Sequence, residues 1–394
     1  MEHHDVAVIG AGLAGLQCAR RLSARGRRVL LVERKPSVDV AVHTTGIFVR
    51  RTLEDFELPP GVLGPPVRRV VLYSPGRRSL VLDGARDEFR VGRMQLLYSK
   101  LLEGCIEAGA RWRSRTRFLG CEPSDGGSIV RLSSTTGPHE VHARLLVGAD
   151  GASSHVARAL DLSVNRRWIV GVEDVFENVP LDGAPAFHCF LDPVVAPGYL
   201  AWVVNDGEQA HVGVGGYPAR FDAARALERF ECTLDDVVDL GAAEWIERRG
   251  GRIPVGGVLS RIACPAGLLV GDAAGAPSPL TAGGLDPCMR LSSFAAEVAD
   301  AFLATGDADA LGAYSGARFR ARFATRLGMR RGFDIMSGAR GLELAWGLLR
   351  YRPFERVARR VLFGEGSFPD PPTRFVESPL VSPERERSRS ARRD

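Results

Sequence analysis

One run of residues near the start of the chain constrains its fold more than any other feature. Residues 5–9 form a short apolar segment that leads directly into Gly10-Ala11-Gly12-Leu13-Ala14-Gly15 and a helical pattern that Gly26 ends. A second apolar segment follows and finishes at Glu33. Strand, spaced glycines, helix, strand and acid in this order are the βαβ fingerprint of a dinucleotide site. The chain is therefore predicted to be an α/β protein with a parallel core.

Each position of the fingerprint has a physical role. Gly10 permits a tight turn, Gly12 lets the backbone approach a pyrophosphate, and Gly15 allows the helix to pack closely on the strand. The helix N-terminus offers free N–H groups and a positive dipole to phosphates. Glu33 is placed to accept hydrogen bonds from an adenosine ribose. The fingerprint alone does not distinguish FAD from NAD(P). The residues assigned here to cofactor binding are Gly10, Gly12, Leu13, Ala14, Gly15, Glu33 and Arg34.

Two later glycine-rich segments also follow short apolar strands. The first contains Asp150-Gly151, and the second begins with Gly271-Asp272 and continues to Thr281-Ala282-Gly283-Gly284-Leu285 before a long helix. With all three motifs in this order, residues 5–330 resemble the flavoproteins built like para-hydroxybenzoate hydroxylase, which include the geranylgeranyl reductases. The resemblance implies a Rossmann-like, GR2-type FAD-binding domain and selects FAD as the cofactor.

The resemblance also implies roles for residues outside the fingerprint. The carboxylate of Asp272, at a strand end, is expected to accept hydrogen bonds from the ribityl hydroxyls. The N–H groups of residues 283–285 are expected to face the flavin N1/C2=O edge, where the helix dipole favours the anionic reduced form by on the order of 1 kcal/mol. Arg93 matches an arginine that touches the cofactor in this family, but an arginine at a helix start is also typical of a solvated face. The further cofactor-binding residues are Thr44, Thr45, Arg93, Asp272, Gly283, Gly284 and Leu285.

Three details favour the reductase branch of this family over the aromatic hydroxylases. Gly275 stands where the hydroxylases usually carry histidine, and residues 279–285 are similar to the reductases' Pro-Leu-Thr-x-x-Gly pattern. Tyr199 and Trp202, followed by the glycines of residues 213–215, are similar to a stretch that lines a polyprenyl cavity in the reductases. In this chain the Tyr–Trp spacing is one residue longer, and Val-Asn replaces Phe-Pro. Aromatic side chains are also ordinary core material.

The sequence does not identify a catalytic acid. His43 stands where the reductases often have a Cys-Gly segment, so it is a candidate proton donor or a residue that satisfies a loop carbonyl. Tyr199 and Trp202 are the other candidates for a catalytic role. The seven cysteines are scattered without a C-x-x-C pair, which indicates reduced thiols and no metal site.

The motifs divide the chain into a discontinuous FAD-binding domain and an inserted antiparallel β-sheet substrate domain. A turn at Pro75-Gly76 predicts a hairpin in the first insertion, and the inserted sheet is expected to cover the isoalloxazine ring and to exclude water. The predicted boundaries are 1–64, 93–160 and 261–330 for the FAD-binding domain, 65–92 and 161–260 for the substrate domain, 331–370 for C-terminal helices and 371–394 for a disordered tail.

Residues 342–363 combine apolar positions at helical spacing with several arginines. Such a basic amphipathic pair of helices suits peripheral contact with a membrane surface, and it is also typical of helices that pack on their own protein. No apolar run is long enough for a transmembrane helix, and no signal peptide is evident, so a cytoplasmic protein is expected. The net charge of +5 forms no basic stripe interleaved with aromatics, which argues against nucleic-acid binding.

The resemblance implies an FAD-dependent oxidoreductase in which reduced flavin delivers hydride to a C=C of a hydrophobic substrate. One alternative is a monooxygenase that hydroxylates a small organic molecule with NAD(P)H and O₂, because the fold supports both reactions. Another is a non-catalytic binding protein without flavin, and the intact Glu33 and Asp272 argue against it. Since the chain has one dinucleotide fingerprint, NAD(P)H would be a transient electron donor, and a redox protein is equally permitted.

Overall fold

The computed structural model describes residues 1–180, 184–336 and 338–363. The end of the predicted helical region, residues 364–370, and the predicted tail, residues 371–394, lie outside the described residues. The strands are β1 (Glu2–Ile9), β2 (Val29–Val32), β3 (Ile47–Val49), β4 (Leu63–Val67), β5 (Arg69–Tyr73), β6 (Ser79–Asp83), β7 (Phe89–Gly92), β8 (Arg111–Arg113), β9 (Arg117–Ser124), β10 (Gly127–Ser134), β11 (Gly137–Gly148), β12 (Trp168–Glu177), β13 (Ala186–Phe190), β14 (Ala201–Asn205), β15 (Ala210–Gly216), β16 (Glu244–Pro254), β17 (Ala263–Cys264) and β18 (Gly267–Leu269). The α-helices are α1 (Leu13–Ser23), α2 (Arg50–Asp55), α3 (Met94–Glu107), α4 (His155–Ala159), α5 (Ala223–Glu231), α6 (Leu285–Thr305), α7 (Asp309–Gly312), α8 (Gly316–Arg322), α9 (Ala324–Ile335), α10 (Ala339–Leu349) and α11 (Arg352–Leu362).

The eight-stranded sheet contains the βαβ unit that the fingerprint predicts. Its strand order is β17-β18-β11-β1-β2-β8, and the β9–β10 hairpin is attached to β11. Strand β1 pairs in parallel with β2 and with β11, and its residues 6–9 are buried. Helix α1 packs on α6, where the Gln17 side-chain amide donates to the Met289 carbonyl oxygen at 2.9 Å. The predicted α/β class with a Rossmann-like core is confirmed.

The seven-stranded sheet has the order β16-β12-β15-β14-β13-β5-β6. It is called the covering sheet, and the domain built on the eight-stranded sheet is called the first domain. One of its faces packs on α5 through Leu227 and Phe230, and the other face is turned toward the first domain. The predicted hairpin β5–β6 joins the sheet, as expected. One pairing differs from the expected antiparallel arrangement, because β5 runs parallel to β13. A β-hairpin that enters from a distant part of the chain is free to meet the sheet in either direction.

A small third sheet, β3-β7-β4, connects the two domains. The predicted boundary between residues 64 and 65 falls inside β4, and the boundary after residue 92 coincides with the end of β7. Both strands are needed to complete this sheet, so the insertion begins and ends within it. The sheet places the loop of residues 43–46, which leads into β3, next to the covering sheet.

The C-terminal helices pack on their own protein, as one of the two sequence interpretations expects. Pro353 lies in the first turn of α11, where its missing N–H costs nothing. Ala358 and Phe363 are buried in a cluster with Val70 of β5, and the Arg78 guanidinium lies 4.6 Å from the centre of the Trp346 ring. Among the described residues, no helix combines the length and the apolar character that crossing a bilayer requires.

Candidate active site

The structure gives a different explanation for each of the three glycines of the fingerprint. At Gly10, which has a φ of +102°, an added Cβ would lie 2.4 Å from the carbonyl oxygen of Ala149. At Gly15 an added Cβ would lie 1.9 Å from the carbonyl oxygen of Gly10. At Gly12, the N-cap of α1, an added Cβ would meet no protein atom within 4 Å. Packing of the chain therefore requires the first and third glycines, whereas the second borders open space at a helix N-terminus.

The Glu33 side chain connects the glycine loop to the end of β2. It is buried, and its carboxylate accepts hydrogen bonds from the backbone N–H groups of Ala11 at 2.9 Å and Lys35 at 3.0 Å. The acid therefore lies beside the glycine loop, where the ribose of a dinucleotide is expected. The neighbouring Arg34 is exposed.

The turn that carries Asp272 lies directly against the glycine loop. At Gly271 an added Cβ would lie 2.8 Å from the Cβ of Ala14 in α1, and at Gly284 it would lie 4.0 Å from Asp272 Oδ1. The Asp272 carboxylate has no hydrogen-bond partner among the described residues, and burial raises its pKa to about 6. The fingerprint, Asp272 and the N-terminus of α6 at Gly284 thus converge, as the sequence predicts.

These observations test whether the site fits FAD. Open space at Gly12 beside the first turn of α1 is what a pyrophosphate requires. An acceptor group without a partner, the Asp272 carboxylate, is what the hydroxyls of a ribityl chain require. The free N–H groups at the start of α6 are available to an anionic ring edge. The residues present therefore fit the cofactor.

Asp150 of the second motif has a structural task. Its carboxylate accepts hydrogen bonds from the Ser154 hydroxyl and from the backbone N–H of His155, both at 2.6 Å, and so holds the first turn of α4. The Asn165 side-chain amide then donates to the carbonyl oxygens of Ala152 and Asp272, at 3.0 and 2.8 Å. The second and third motifs are thereby tied together.

Two predicted residues form contacts other than those expected with the cofactor motifs. The Arg93 guanidinium forms an ion pair with Glu208 and donates to the Gly61 carbonyl oxygen at 3.0 Å, so it occupies the solvated position that was its alternative interpretation. His43 is exposed beside Gly251 of β16. Partial burial and the charges of Lys35 and Arg34 lower the pKa of His43, which makes it a poor store of a proton at neutral pH.

Tyr199 and Trp202 lie together on the face of the covering sheet that is turned toward the first domain. Their rings occupy the space above two glycines of β15, because an added Cβ would lie 2.3 Å from Trp202 at Gly213 and 2.6 Å from Tyr199 at Gly215. The Tyr199 hydroxyl reaches the loop before α6, where it bonds to Thr281. The Gly-x-Gly spacing thus accommodates the two aromatic rings that the sequence singles out.

A buried cluster of charged residues lies on the same face, and the sequence analysis did not identify it. The Glu173 carboxylate accepts hydrogen bonds from the Thr45 hydroxyl at 2.5 Å and from the Trp202 indole N–H at 3.0 Å. His211 Nδ1 lies 3.9 Å from Glu173 Oε1, and His211 Nε2 lies 3.3 Å from Asp206 Oδ2. Through Thr45, this cluster joins the covering sheet to a loop assigned to the flavin.

The cluster sets the charges of its members. Burial would lower the pKa of His211, but the carboxylates of Asp206 and Glu173 outweigh burial and raise it to about 9. Burial would likewise raise the pKa of Glu173, but the nearby charge of His211 and the hydrogen bonds from Thr45 and Trp202 hold it below its ordinary value. The Arg249 guanidinium lies 3.7 Å from Glu173 and donates to the Thr44 carbonyl oxygen at 3.3 Å. Glu173 is therefore an ionised carboxylate with cationic neighbours.

The strand pattern carries a signal for this cluster. Glu173 interrupts the apolar residues of β12, and His211, Gly213 and Gly215 occupy alternate positions of β15, which places them on one face. The register pairs Glu173 with Gly213, and Gly213 with Trp202. A charged residue at an alternating buried position is an indication that the sequence analysis did not use.

One cavity lies away from these motifs. It measures about 440 Å³ and is located between the β5–β6 turn and α5. A second cavity of about 50 Å³ adjoins the flavin motifs next to Ala273, Asn165 and Ser153. The converging loops, rather than the cavity beside α5, therefore define the candidate active site. The larger cavity is lined by Arg77, Asp192, Val194, Val195, Arg229, Thr233 and Asp236.

Comparison with known proteins agrees with this geometry. Residues 5–74 match a family model described as FAD dependent oxidoreductase, and residues 83–204 match one described as FAD binding domain. The chain is 31% identical over 318 residues to digeranylgeranylglycerophospholipid reductase 1 of Methanopyrus kandleri, which covers 75% of this chain and 80% of that protein. The chain belongs to the geranylgeranyl reductase family. It is an FAD-dependent oxidoreductase.

Solved structures place this family member within a broader fold. A geranylgeranyl bacteriochlorophyll reductase-like protein from Thermoplasma acidophilum superposes with a TM-score of 0.81 at 22% identity, covering 93% of this chain and 98% of that one. The p-nitrophenol 4-monooxygenase of Pseudomonas putida superposes with a TM-score of 0.68 at 18% identity, covering 93% and 95%. The reductase-family chain thus shares its fold with reductase-like and hydroxylating flavoproteins.

Proposed function

We propose that the protein reduces an isolated or activated C=C bond in a hydrophobic, polyprenyl-type lipid. The observation that carries this proposal is a buried apolar cluster on the face of the covering sheet that is joined to the loop before α6. Trp202 and Val204 are buried in this cluster with Val91, and Tyr199 and Leu200 pack against it. An apolar lining of this kind suits a long hydrocarbon chain, because burial of apolar area is the main source of binding energy of such a chain. The relative from Methanopyrus kandleri, which is named for a digeranylgeranyl lipid, supports the same substrate class.

The residues of the chain divide the work of the proposed reaction. The glycine loop at Gly12 and the first turn of α1 would hold the pyrophosphate of FAD, Glu33 would bind the adenosine ribose, and Asp272 would accept hydrogen bonds from the ribityl hydroxyls. Reduced FAD supplies a hydride equivalent when bound. Tyr199 and Trp202 would shield the flavin ring from water, which would strengthen electrostatic interactions in the site.

The substrate carbon that does not receive hydride needs a proton. His211 is protonated at neutral pH and is buried next to Glu173. The cluster therefore holds a proton on the face of the covering sheet that is turned toward the first domain. The Thr45 hydroxyl, which bonds to Glu173, is the member of this cluster that lies on the loop assigned to the flavin. The exposed His43 is less suited, because its pKa is lowered.

Hydroxylation is the second candidate, because the Pseudomonas putida monooxygenase shares the fold. The two candidates predict different oxygen dependence. The reductase proposal expects substrate turnover without O₂, whereas hydroxylation expects O₂ consumption coupled to NAD(P)H oxidation. NAD(P)H and a small redox protein both remain candidates for the electron donor.

The test uses the FAD-loaded protein reduced anaerobically with dithionite and mixed with a digeranylgeranyl lipid or a short polyprenyl alcohol. Saturation of C=C bonds by mass spectrometry supports the proposal, and the absence of any saturated product from both substrates refutes it. Trp202→Ala is expected to lower kcat/KM at least tenfold, in line with the loss of a large apolar contact. Trp245→Ala is the matched control, because Trp245 is 55% exposed on β16. Equal activity of the two variants would remove Trp202 from the substrate site.

A further inference from the structure

The outer surface of the C-terminal helices carries large apolar side chains. Leu344 and Leu348 of α10 are 69% and 41% exposed, and Tyr351, Phe354 and Val357 continue the surface onto α11 with comparable exposure. These five residues are called the α10–α11 face below. Exposed apolar residues are ordinary when they are scattered, but a group on adjacent helices indicates an interaction surface.

Helix α10 is apolar on two opposite sides. Leu342 and Trp346 are buried against the protein, as expected for the inner side of an amphipathic helix. Leu344 and Leu348, four residues apart, form a second stripe on the outer side. A surface helix normally places charged or polar residues on its outer side. The outer stripe of α10 therefore requires an explanation other than packing within the described chain.

The unpaired charges around the α10–α11 face are positive. Its exposed arginines have no carboxylate partner among the residues described by the structure. The acidic residues of the same segment are all engaged: Asp334 pairs with Arg167 at 2.9 Å, Glu355 pairs with Arg359 at 2.9 Å, and Glu343 pairs with Arg78. The face is therefore apolar with a cationic border. The bordering arginines are Arg340, Arg350, Arg352, Arg356 and Arg360.

We propose that the α10–α11 face binds the surface of an anionic lipid bilayer. Its leucines and aromatic residues would enter the boundary between headgroups and acyl chains, and its arginines would contact lipid phosphates. Apolar insertion combined with cationic attraction is the chemistry by which helices lie on membranes. Arginine is well suited to phosphate because its planar guanidinium donates two parallel hydrogen bonds.

The inner side of these helices leads toward the candidate active site. Phe363, at the end of α11, and Leu349 of α10 belong to the cluster that contains Phe89. That cluster shares Ile47, Phe187 and Leu200 with the cluster around Trp202. A continuous series of apolar contacts thus connects the inner side of α10 and α11, opposite the α10–α11 face, to the apolar cluster around Trp202. Delivery of a lipid along this route rests on the proposed function, whereas binding of the face to a bilayer does not.

The test is co-sedimentation of the full-length, FAD-loaded protein with vesicles, without substrate or reductant. We expect binding to vesicles of phosphatidylglycerol and phosphatidylcholine in equal parts, and much weaker binding to pure phosphatidylcholine. Leu344→Glu with Leu348→Glu should reduce binding to the anionic vesicles at least tenfold. Arg356→Gln with Arg360→Gln should reduce it by about fivefold per arginine and should lessen its salt sensitivity.

The matched control is Ile106→Glu with Leu119→Glu, which changes two apolar residues of similar exposure, 50% and 54%, outside the face. This control should bind like the unmodified protein, and unfolding curves should verify that all variants are folded. Absence of binding to anionic vesicles, or equal binding by the leucine variant and the control, would overturn the proposal. So would a concentration-dependent dimer that the leucine variant abolishes while vesicle binding is absent. Because no reaction is measured, these outcomes are independent of the test of the proposed function.

Discussion

The hydroxyl of Tyr199 donates a hydrogen bond to the main-chain carbonyl oxygen of Thr281 over 2.5 Å. Tyr199 lies just before β14 of the covering sheet, and Thr281 lies in the loop that leads into α6. Burial raises the pKa of Tyr199 well above its ordinary value, so the hydroxyl keeps its proton at neutral pH. The bond therefore fastens the covering sheet to the loop that carries the flavin motif.

Tyr199→Phe is expected to lower the free energy of unfolding by about 1 kcal/mol, the usual net value of one hydrogen bond. The ring remains above Gly215, so packing is preserved. Urea unfolding of both proteins measures the difference. Tyr351→Phe, which alters a phenol that is 65% exposed, should leave stability unchanged. A loss of equal size in both variants would contradict a role for the bond to Thr281.

Gly12 and Gly15 should respond differently to alanine. Gly12→Ala should change the stability of the FAD-free protein by less than about 0.5 kcal/mol, because the new methyl meets no protein atom. It should weaken FAD binding at least tenfold, since the methyl enters the space of the pyrophosphate. Gly15→Ala should destabilise the FAD-free protein itself, because its methyl collides with the Gly10 carbonyl oxygen. Unfolding curves and fluorescence titration with FAD separate the two effects. An unchanged FAD affinity for Gly12→Ala would show that the cofactor lies elsewhere.

Asp272→Asn should stabilise the FAD-free protein and weaken the holoprotein. The carboxylate has a pKa raised to about 6 by burial, so at pH 7 it is ionised without a partner. Removal of this buried charge should increase the free energy of unfolding of the FAD-free protein by about 1 kcal/mol. It should also reduce the affinity for FAD about tenfold, since a charged hydrogen-bond acceptor is lost. Asp161→Asn is the control, because the Asp161 side chain is 98% exposed. Unfolding in the absence of FAD and equilibrium FAD titration are the measurements. Tighter FAD binding by Asp272→Asn would contradict the assignment.

The His211 cluster predicts a loss of stability in mild alkali. The pKa of His211 is about 9 in the folded protein, against an ordinary value of 6.5. The folded state binds this proton more tightly, so the stabilisation is complete below pH 6.5 and is lost as the pH rises through 9. The free energy of unfolding should fall by about 2–3 kcal/mol across this window.

His211→Gln should be less stable than the unmodified protein at pH 6.5 and should show a flatter pH dependence up to pH 9. The exposed His155 provides the control, because His155→Gln should leave the slope in place. Chemical unfolding at several pH values measures both. An unchanged slope in His211→Gln would show that the proton is held by another group.

The dinucleotide core could be predicted because its determinants are local in the sequence. The turn at Gly10, the start of α1 and the acid Glu33 all lie within one βαβ unit, and each has a role that follows from residue type alone. The convergence of Asp272 with Gly12 was implied by resemblance to a family, because no local pattern connects residues so far apart. Periodicity likewise predicted α10 and α11, but not the face that each would leave exposed.

Long-range pairs account for what the sequence did not show. Arg93 pairs with Glu208, and Glu173 is joined to Thr45, although neither partner lies near the other in the chain. Such contacts depend on the register of the covering sheet, which is set by pairings such as Trp202 with Gly213. Alternation within a strand identifies which residues share a face, but it does not identify the strand that will lie beside them.

The parallel pairing of β5 with β13 has a consequence for biosynthesis. The β5–β6 hairpin leaves the ribosome long before residues 186–190, so its inner edge has no neighbour during that interval. An unpaired edge of apolar strands is a site of self-association. Contacts between such distant segments also slow folding. Nascent chains that end before β13 should therefore be the most dependent on chaperones, and aggregation during expression should begin at this hairpin.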